Sequence, residues 1–263
     1  MSERVRVSAV AGMFYPADPD ELHRMVRRFL DHAEASSLLP PKAVIVPHAG
    51  YVYSGAVAAS AYACVDPTEI SRVVLIGPSH RVMLEGMAIP ESLIWETPIG
   101  DVQIDFDAME KVSSFAQVLF SERAHLEEHC LEVQLPFLQE LLGDRFRLAP
   151  MVVGDCSPDD VADVLEVLWG GPETLVVVSS DLSHYLPYER ACLKDQTTVR
   201  AIEDLDVYRL EGDSACGLNA IAGLICLAQR RGMRSKLLDL RNSGDTAGSR
   251  EQVVGYGAFA FYE

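Results

Sequence analysis

The chain has no G-x-x-x-x-G-K-[ST] phosphate loop and no G-x-G-x-x-G, so the two commonest nucleotide cradles are missing. Gly-x-Ser-x-Gly is missing too, which leaves an α/β-hydrolase nucleophile elbow unsupported. Asp-Gly-rich calcium loops are absent. The cysteines Cys64, Cys130, Cys156, Cys192, Cys216 and Cys226 form no C-x-x-C pair and no compact secreted framework. A reduced, cytoplasmic setting with free thiols is therefore expected. Positive charge is scarce: 22 Lys and Arg face 39 Asp and Glu, a net charge of -17. Nucleic acid and anionic membranes both require basic surface, so neither is expected as a primary partner. No apolar run approaches the roughly 20 residues of a membrane span. The charged start Met1-Ser2-Glu3-Arg4-Val5-Arg6-Val7 lacks the long apolar core of a signal peptide.

Apolar material is abundant. It makes up 49% of 263 residues, enough for a sizeable core. No repeat, low-complexity tract or linker divides the chain, so one domain over 1–263 is expected. Buried-type strands are read at 42–47, 72–77, 146–153 and 174–180, with later strands at 236–240 and 253–262. Helices are read at 21–32, 55–65, 107–119, 127–142, 157–170, 188–205 and 217–231. Asp18 reads as the cap of the first helix and Ser54 as the cap of the second. The stretch 87–104, broken by Pro90, Pro98 and Gly100, reads as a hairpin excursion. Strands alternating with helices imply an α/β/α sandwich around a mostly parallel central sheet.

Chemistry gathers where strands end. Val44-Ile45-Val46-Pro47-His48-Ala49-Gly50-Tyr51 drives a β-branched run into a histidine, and Val73-Val74-Leu75-Ile76-Gly77-Pro78-Ser79-His80 repeats the plan. Loops at the carboxyl ends of strands are where open α/β sheets collect ligands. Neutral imidazoles at such places suit a divalent metal, or they simply hydrogen-bond to backbone. Ser179-Ser180-Asp181-Leu182-Ser183-His184-Tyr185 follows the most apolar strand. There Asp181 and His184 suit general acid-base work, or an Asx-type turn with His184 at its rim. Cys216 opens an apolar helix, a position that favours thiolate, and is the best placed of the six as metal ligand or nucleophile; burial as an inert thiol is the other outcome. His125-Leu126-Glu127-Glu128-His129 matches H-x-x-E-H, a weak zinc-protease pattern with no identifiable distal acidic ligand. Read as a helix, the same segment puts His129 and Glu132 on one face, as a polar second shell or a solvated pair.

Taken in order, Pro47-His48-Ala49-Gly50-Tyr51 with Ser54-Gly55, Gly77-Pro78-Ser79-His80, Glu128-His129 with Glu132 and Leu135-Pro136, Ser179 through Tyr185, and Cys216-Gly217 resemble the Memo family (AmmeMemoRadiSam system protein B-like). The resemblance runs from about Gly12 to the C-terminus and implies the fold of LigB-like class III extradiol dioxygenases. It implies His48 and His80 as metal ligands, with Cys216 where a cysteine replaces the dioxygenase glutamate. It implies His184 as acid/base, with Asp181 beside it. Iron or copper and oxidative chemistry are the implied cofactor and activity. A thiolate is softer than a carboxylate, so ring cleavage does not carry over with the fold. A eukaryotic member is linked to phosphorylated receptor peptides and cell motility. The expectation is thus a metal-dependent redox protein with a dioxygenase-like site. The rival is a non-catalytic module that captures a peptide or anionic ligand in the same cleft.

Overall fold

A computed structural model describes residues 5–34 and 39–263; the start of the chain read above as charged lies largely outside them. In chain order, β1 (Val5–Arg6) leads to α1 (Pro19–His32). Asp18 caps α1 by accepting the Glu21 N–H, and Pro19 occupies the first turn, where its missing N–H costs nothing. β2 (Ala43–Val46) runs into α2 (Tyr51–Tyr62), then β3 (Arg72–Pro78) and β4 (Met87–Ile89) follow. The hairpin expected over 87–104 is β5 (Ile94–Thr97) and β6 (Gly100–Gln103), which with β1 makes a separate three-stranded sheet. Next come α3 (Phe106–Val112), β7 (Val118–Phe120), α4 (Glu122–Leu126), α5 (Leu135–Leu142), β8 (Arg147–Val153) and α6 (Pro158–Leu168). The chain closes with β9 (Thr174–Ser179), β10 (His184–Leu186), α7 (Tyr188–Glu203), α8 (Leu218–Arg231), β11 (Arg234–Asn242) and β12 (Val253–Tyr262).

The main sheet has nine strands in the order β10-β12-β2-β9-β3-β8-β4-β7, with β11 also on β12. Its centre, β2-β9-β3-β8, is parallel, and antiparallel pairs join it to both flanks. Every residue of β2 and β9 is buried, so helices must cover both faces. One group is α2 with α1 and α5 packed around it; the other is α6 and α8 with α3 against α6. The small residues of α2 permit a close crossing with α1. A Cβ on Gly55 would sit 2.6 Å from Phe29 Cε2. Among the described residues no helix is long and apolar enough to cross a membrane.

Three local expectations need correction. Helix α2 starts at Tyr51 with Gly50 as N-cap, because the Tyr51 N–H is taken by Phe14 O; Ser54 lies inside the helix, and its hydroxyl donates to Ala49 O. The helix expected over 107–119 stops at Val112, and Val118–Phe120 instead extends the sheet beside β4. The helix expected over 127–142 is broken. The Glu128 carboxylate accepts the N–H groups of His129 and Cys130 and turns the chain, so helix resumes only after a 3-10 turn at Glu132–Gln134. His129 is therefore on a loop and shares no helix face with Glu132.

Candidate metal centre

The register of the parallel centre builds the site. Val46 pairs with Ser179 and Ile76 with Val178, so β2, β9 and β3 end side by side. His48, Asp181 and His80 leave the sheet at one edge, with β9 between the two histidine strands. The loop after α4 brings His129 over the same edge, and the turn before α8 brings Cys216. One ring nitrogen from each of His48, His80 and His129 lies within 4.8 Å of the others. Their rings pack at 4.7–5.4 Å between centroids.

The hydrogen bonds fix which nitrogen of His48 faces the cleft. The Ser179 hydroxyl donates its one proton to Cys130 O at 2.6 Å. It must then accept from Gln134 Nε2 at 2.8 Å and from His48 Nδ1 at 2.9 Å. The Nδ1–H tautomer of His48 follows, and its Nε2 lone pair faces Cys216. Cys216 Sγ lies 3.2 Å from that Nε2. Burial, then repulsion from His80, pushes His48 down to about 3, so the imidazole is neutral. His80 gives its Nδ1–H to Glu128 Oε1 at 2.9 Å and its backbone N–H to Oε2 at 2.6 Å, which leaves Nε2 for the cleft. Burial would push Glu128 up, but the His80 ring and backbone N–H groups outweigh it and hold the carboxyl at about 2. His129 is also pushed down to about 3, by burial and by His48. Its Nδ1 is 3.3 Å from Glu128 Oε1 but makes no hydrogen bond there, so that buried nitrogen has no hydrogen-bond partner among the described residues.

Cys216 departs from the thiolate expectation. Helix α8 begins two residues later, at Leu218, with Gly217 as its N-cap. Burial, followed by repulsion from Asp181, pushes the thiol up to about 12. The sulfur accepts the Asp181 N–H at 3.3 Å, and the thiol donates to His48 Nε2. Asp181 spends one carboxylate oxygen on the His48 backbone N–H at 2.7 Å, a bond between two strand ends and not the local Asx-type turn. Burial nonetheless raises it to about 6, against the opposing effect of that hydrogen bond and of His184. His184 is half-buried, and its Nδ1–H goes to Leu182 O at 2.8 Å.

Glu132 is outside this cluster. Its carboxylate takes the Ala9 and Val10 N–H groups and the Tyr15 hydroxyl at 2.7–2.9 Å, and it lies 2.8 Å from Arg6 Nη1 in a fully buried ion pair. Arg6 in turn donates to His125 O and Glu128 O, both at 2.7 Å. Glu132 thus ties the N-terminal segment to the loop that carries His129. The polar partner that orients a site histidine is Glu128, and the hydroxyl and amide behind His48 are Ser179 and Gln134. The H-x-x-E-H pattern does not converge: His125 is buried against Trp95 and donates Nε2–H to Ala88 O.

A cleft of about 260 Å³ opens beside Cys216, lined by Ser79, Gly154, Gly217 and Asn219 among others. Another cavity, about 370 Å³, lies at the opposite ends of the strands around Pro41, Lys42 and Ile70. It holds none of the histidines, and its Lys42 ammonium is tied to the Gly171 and Thr174 carbonyls. Of the two, only the smaller cleft is lined by a residue of the cluster, Cys216.

The fold and the site define a single-domain α/β protein with a histidine-cysteine cleft at the carboxyl ends of parallel strands. Residues 6–260 match the family model for Memo-like proteins. The chain is 38% identical to a MEMO1 family protein of Aquifex aeolicus over 96% of its length and 97% of the relative. It is 36% identical to MEMO1 family proteins of Sulfolobus acidocaldarius (96% and 97%) and Thermoplasma acidophilum (95% and 96%). The chain belongs to the Memo-like family.

Proposed function

We propose that this protein is a metal-dependent redox protein that takes iron or copper at His48, His80 and Cys216, with His129 as a further donor. The observation that carries this reading is the His48–Ser179–Gln134 chain. It commits Nδ1–H inward and turns a neutral Nε2 toward the cleft, as ligand imidazoles require. The Glu128–His80 pair does the same from the other side. Two or three imidazoles and a thiol make a donor set that suits iron, copper or zinc rather than magnesium or calcium. A bound ion of that kind supplies Lewis-acid and one-electron chemistry. The chain's own groups orient and move protons. Cys216 gives up its thiol proton on ligation, and Asp181, raised to about 6, is the nearby carboxyl able to hold one near neutrality. His184 keeps its Nε2 free to accept a proton at the rim, since Nδ1–H is committed.

Anaerobic purification with elemental analysis tests the reading. Near-stoichiometric iron or copper is expected in the wild type, and its loss in the His48→Ala, His80→Ala double variant. Cys216→Ser should greatly weaken metal binding, and Cys226→Ser should leave it intact; equal loss in both removes Cys216 from the ligand set. One observation favours the binding-module reading instead. The Cys216 thiol already satisfies His48 Nε2 without any ion. A wild type that rejects added iron and copper, yet binds its partner in the presence of chelator, establishes that alternative.

A further inference from the structure

Only two non-glycine residues among those described adopt a left-handed backbone, Tyr185 at φ 55° and Leu205 at φ 54°. Such a conformation is disfavoured for a residue with a Cβ. Leu205 has a local reason. It follows the end of α7, where Asp206 N–H returns to Ala201 O at 2.8 Å in the usual helix-closing pattern. Tyr185 has no helix end to close. It sits in β10, at the point where the pairing with β12 slips: His184 faces Val254 and Leu186 faces Val253, so Tyr185 is the extra residue of a bulge. Bulges beside active sites re-aim a side chain. Here the aim is outward, beside the His184 ring. Tyr185 is 69% exposed, and its ring stands 5.8 Å from that of His184 at 66°. Its hydroxyl has no hydrogen-bond partner among the described residues. The strain is therefore balanced neither by burial nor by a hydrogen bond. A large flat ring is being held out beside the His184 ring.

We propose that Tyr185 is a specificity-determining residue: its ring forms one wall of the ligand site beside His184 and selects ligands with an unsaturated, planar portion. This rests on reading the His184 cleft as the ligand site, though not on which metal fills it. A flat ligand face gains an offset or edge-on aromatic contact that a puckered ring of equal size does not, worth about a three- to tenfold preference.

The test uses benzoate and cyclohexanecarboxylate, equal in charge near neutral pH and in ring size but flat and puckered, titrated by ligand-observed NMR. Both the metal-free protein and the protein loaded with cobalt(II) are measured. Wild type should favour benzoate, Tyr185→Phe should keep the preference, and Tyr185→Gly and Tyr185→Ala should bring the two acids to parity. Leu205→Gly should leave the preference unchanged. Tyr185→Gly frees the left-handed backbone, so its unfolding midpoint should be unchanged or raised, which separates lost selectivity from lost fold. A wild type with no preference for benzoate, or a preference that survives in Tyr185→Gly, overturns the proposal. Failure of added iron, copper and cobalt to bind while the benzoate preference persists in the metal-free protein defeats the metal reading and leaves this one standing.

Discussion

Acidifying the metal-free protein from pH 7 to pH 5 should weaken it sharply, and the histidines set the size of the effect. His48, His125 and His129 are all pushed down to about 3 in the folded protein, with burial the first cause in each. In the unfolded chain they titrate near 6.5. Between these values the unfolded state binds protons that the folded state refuses, so stability falls as pH falls. Over this interval each histidine contributes a loss of about 2 kcal/mol. Asp181 works in the opposite direction. Its folded value of about 6 lies above the ordinary 3.8, so it gains a proton on the folded side and returns about 1 kcal/mol. His129 is partly held down by His48, so their contributions overlap. The net loss is about 3 to 4 kcal/mol, a large share of a typical stability of about 5–15 kcal/mol. For a chain of this size that lowers the thermal midpoint by roughly 6–15 °C. Circular dichroism melts at pH 7, 6 and 5, after chelator treatment, measure it directly. His125 is the internal control, because it lies away from the cleft and is fully buried. His125→Gln should flatten the pH dependence by about a third of the histidine contribution. A midpoint that holds or rises at pH 5, or a variant as acid-sensitive as wild type, refutes the reasoning.

Ser179→Ala removes the acceptor that fixes the His48 tautomer and should weaken metal binding by about 10- to 100-fold with little change in the far-ultraviolet spectrum; competition with a chromophoric chelator reads it, and unchanged affinity defeats the tautomer assignment. Glu132→Ala leaves Arg6 charged and unpaired in the core and should cost about 3–5 kcal/mol in urea unfolding. If Glu132 is purely a tie to the N-terminal segment, the folded fraction of that variant still binds metal; selective loss of metal with normal stability would return Glu132 to the site. Gly55→Ala places a Cβ against Phe29 at 2.6 Å and should destabilise by about 1–3 kcal/mol, whereas pairing it with Phe29→Leu should recover part of the loss.

The parallel centre and the strand-end histidines were legible in the sequence because local pattern determines both. A β-branched run such as Val44-Ile45-Val46 stopped by Pro47 reads as a buried strand, and whatever follows must leave the sheet. His48 and His80 were found this way, and the family resemblance carried Cys216. Glu128, Ser179 and Gln134 were not assigned their roles, since nothing local marks a carboxylate 48 residues from its histidine, or a hydroxyl 131 residues away, as its orienting partner. The helix expected over 127–142 hid Glu128 further. Helical periodicity is real on both sides of the break, and the break comes from one side chain capping its own backbone. Glu132 was misplaced for the same reason. Of the two readings of Cys216, the structure favours the buried thiol over the thiolate, because a helix terminus is a weak influence beside desolvation.

The placement of β9 between the two histidine strands has a consequence for when the centre comes into being. His48 and His80 leave the ribosome roughly a hundred residues ahead of Ser179, and Cys216 later still. Until β9 inserts between β2 and β3, nothing holds the two imidazoles at a common distance or fixes the His48 tautomer. A nascent chain therefore offers a metal only separate, exposed histidines. On the proposed metal reading, loading would follow the closing of the sheet and occupancy would report on completed folding, so a truncated chain ending before Thr174 should leave metal in solution.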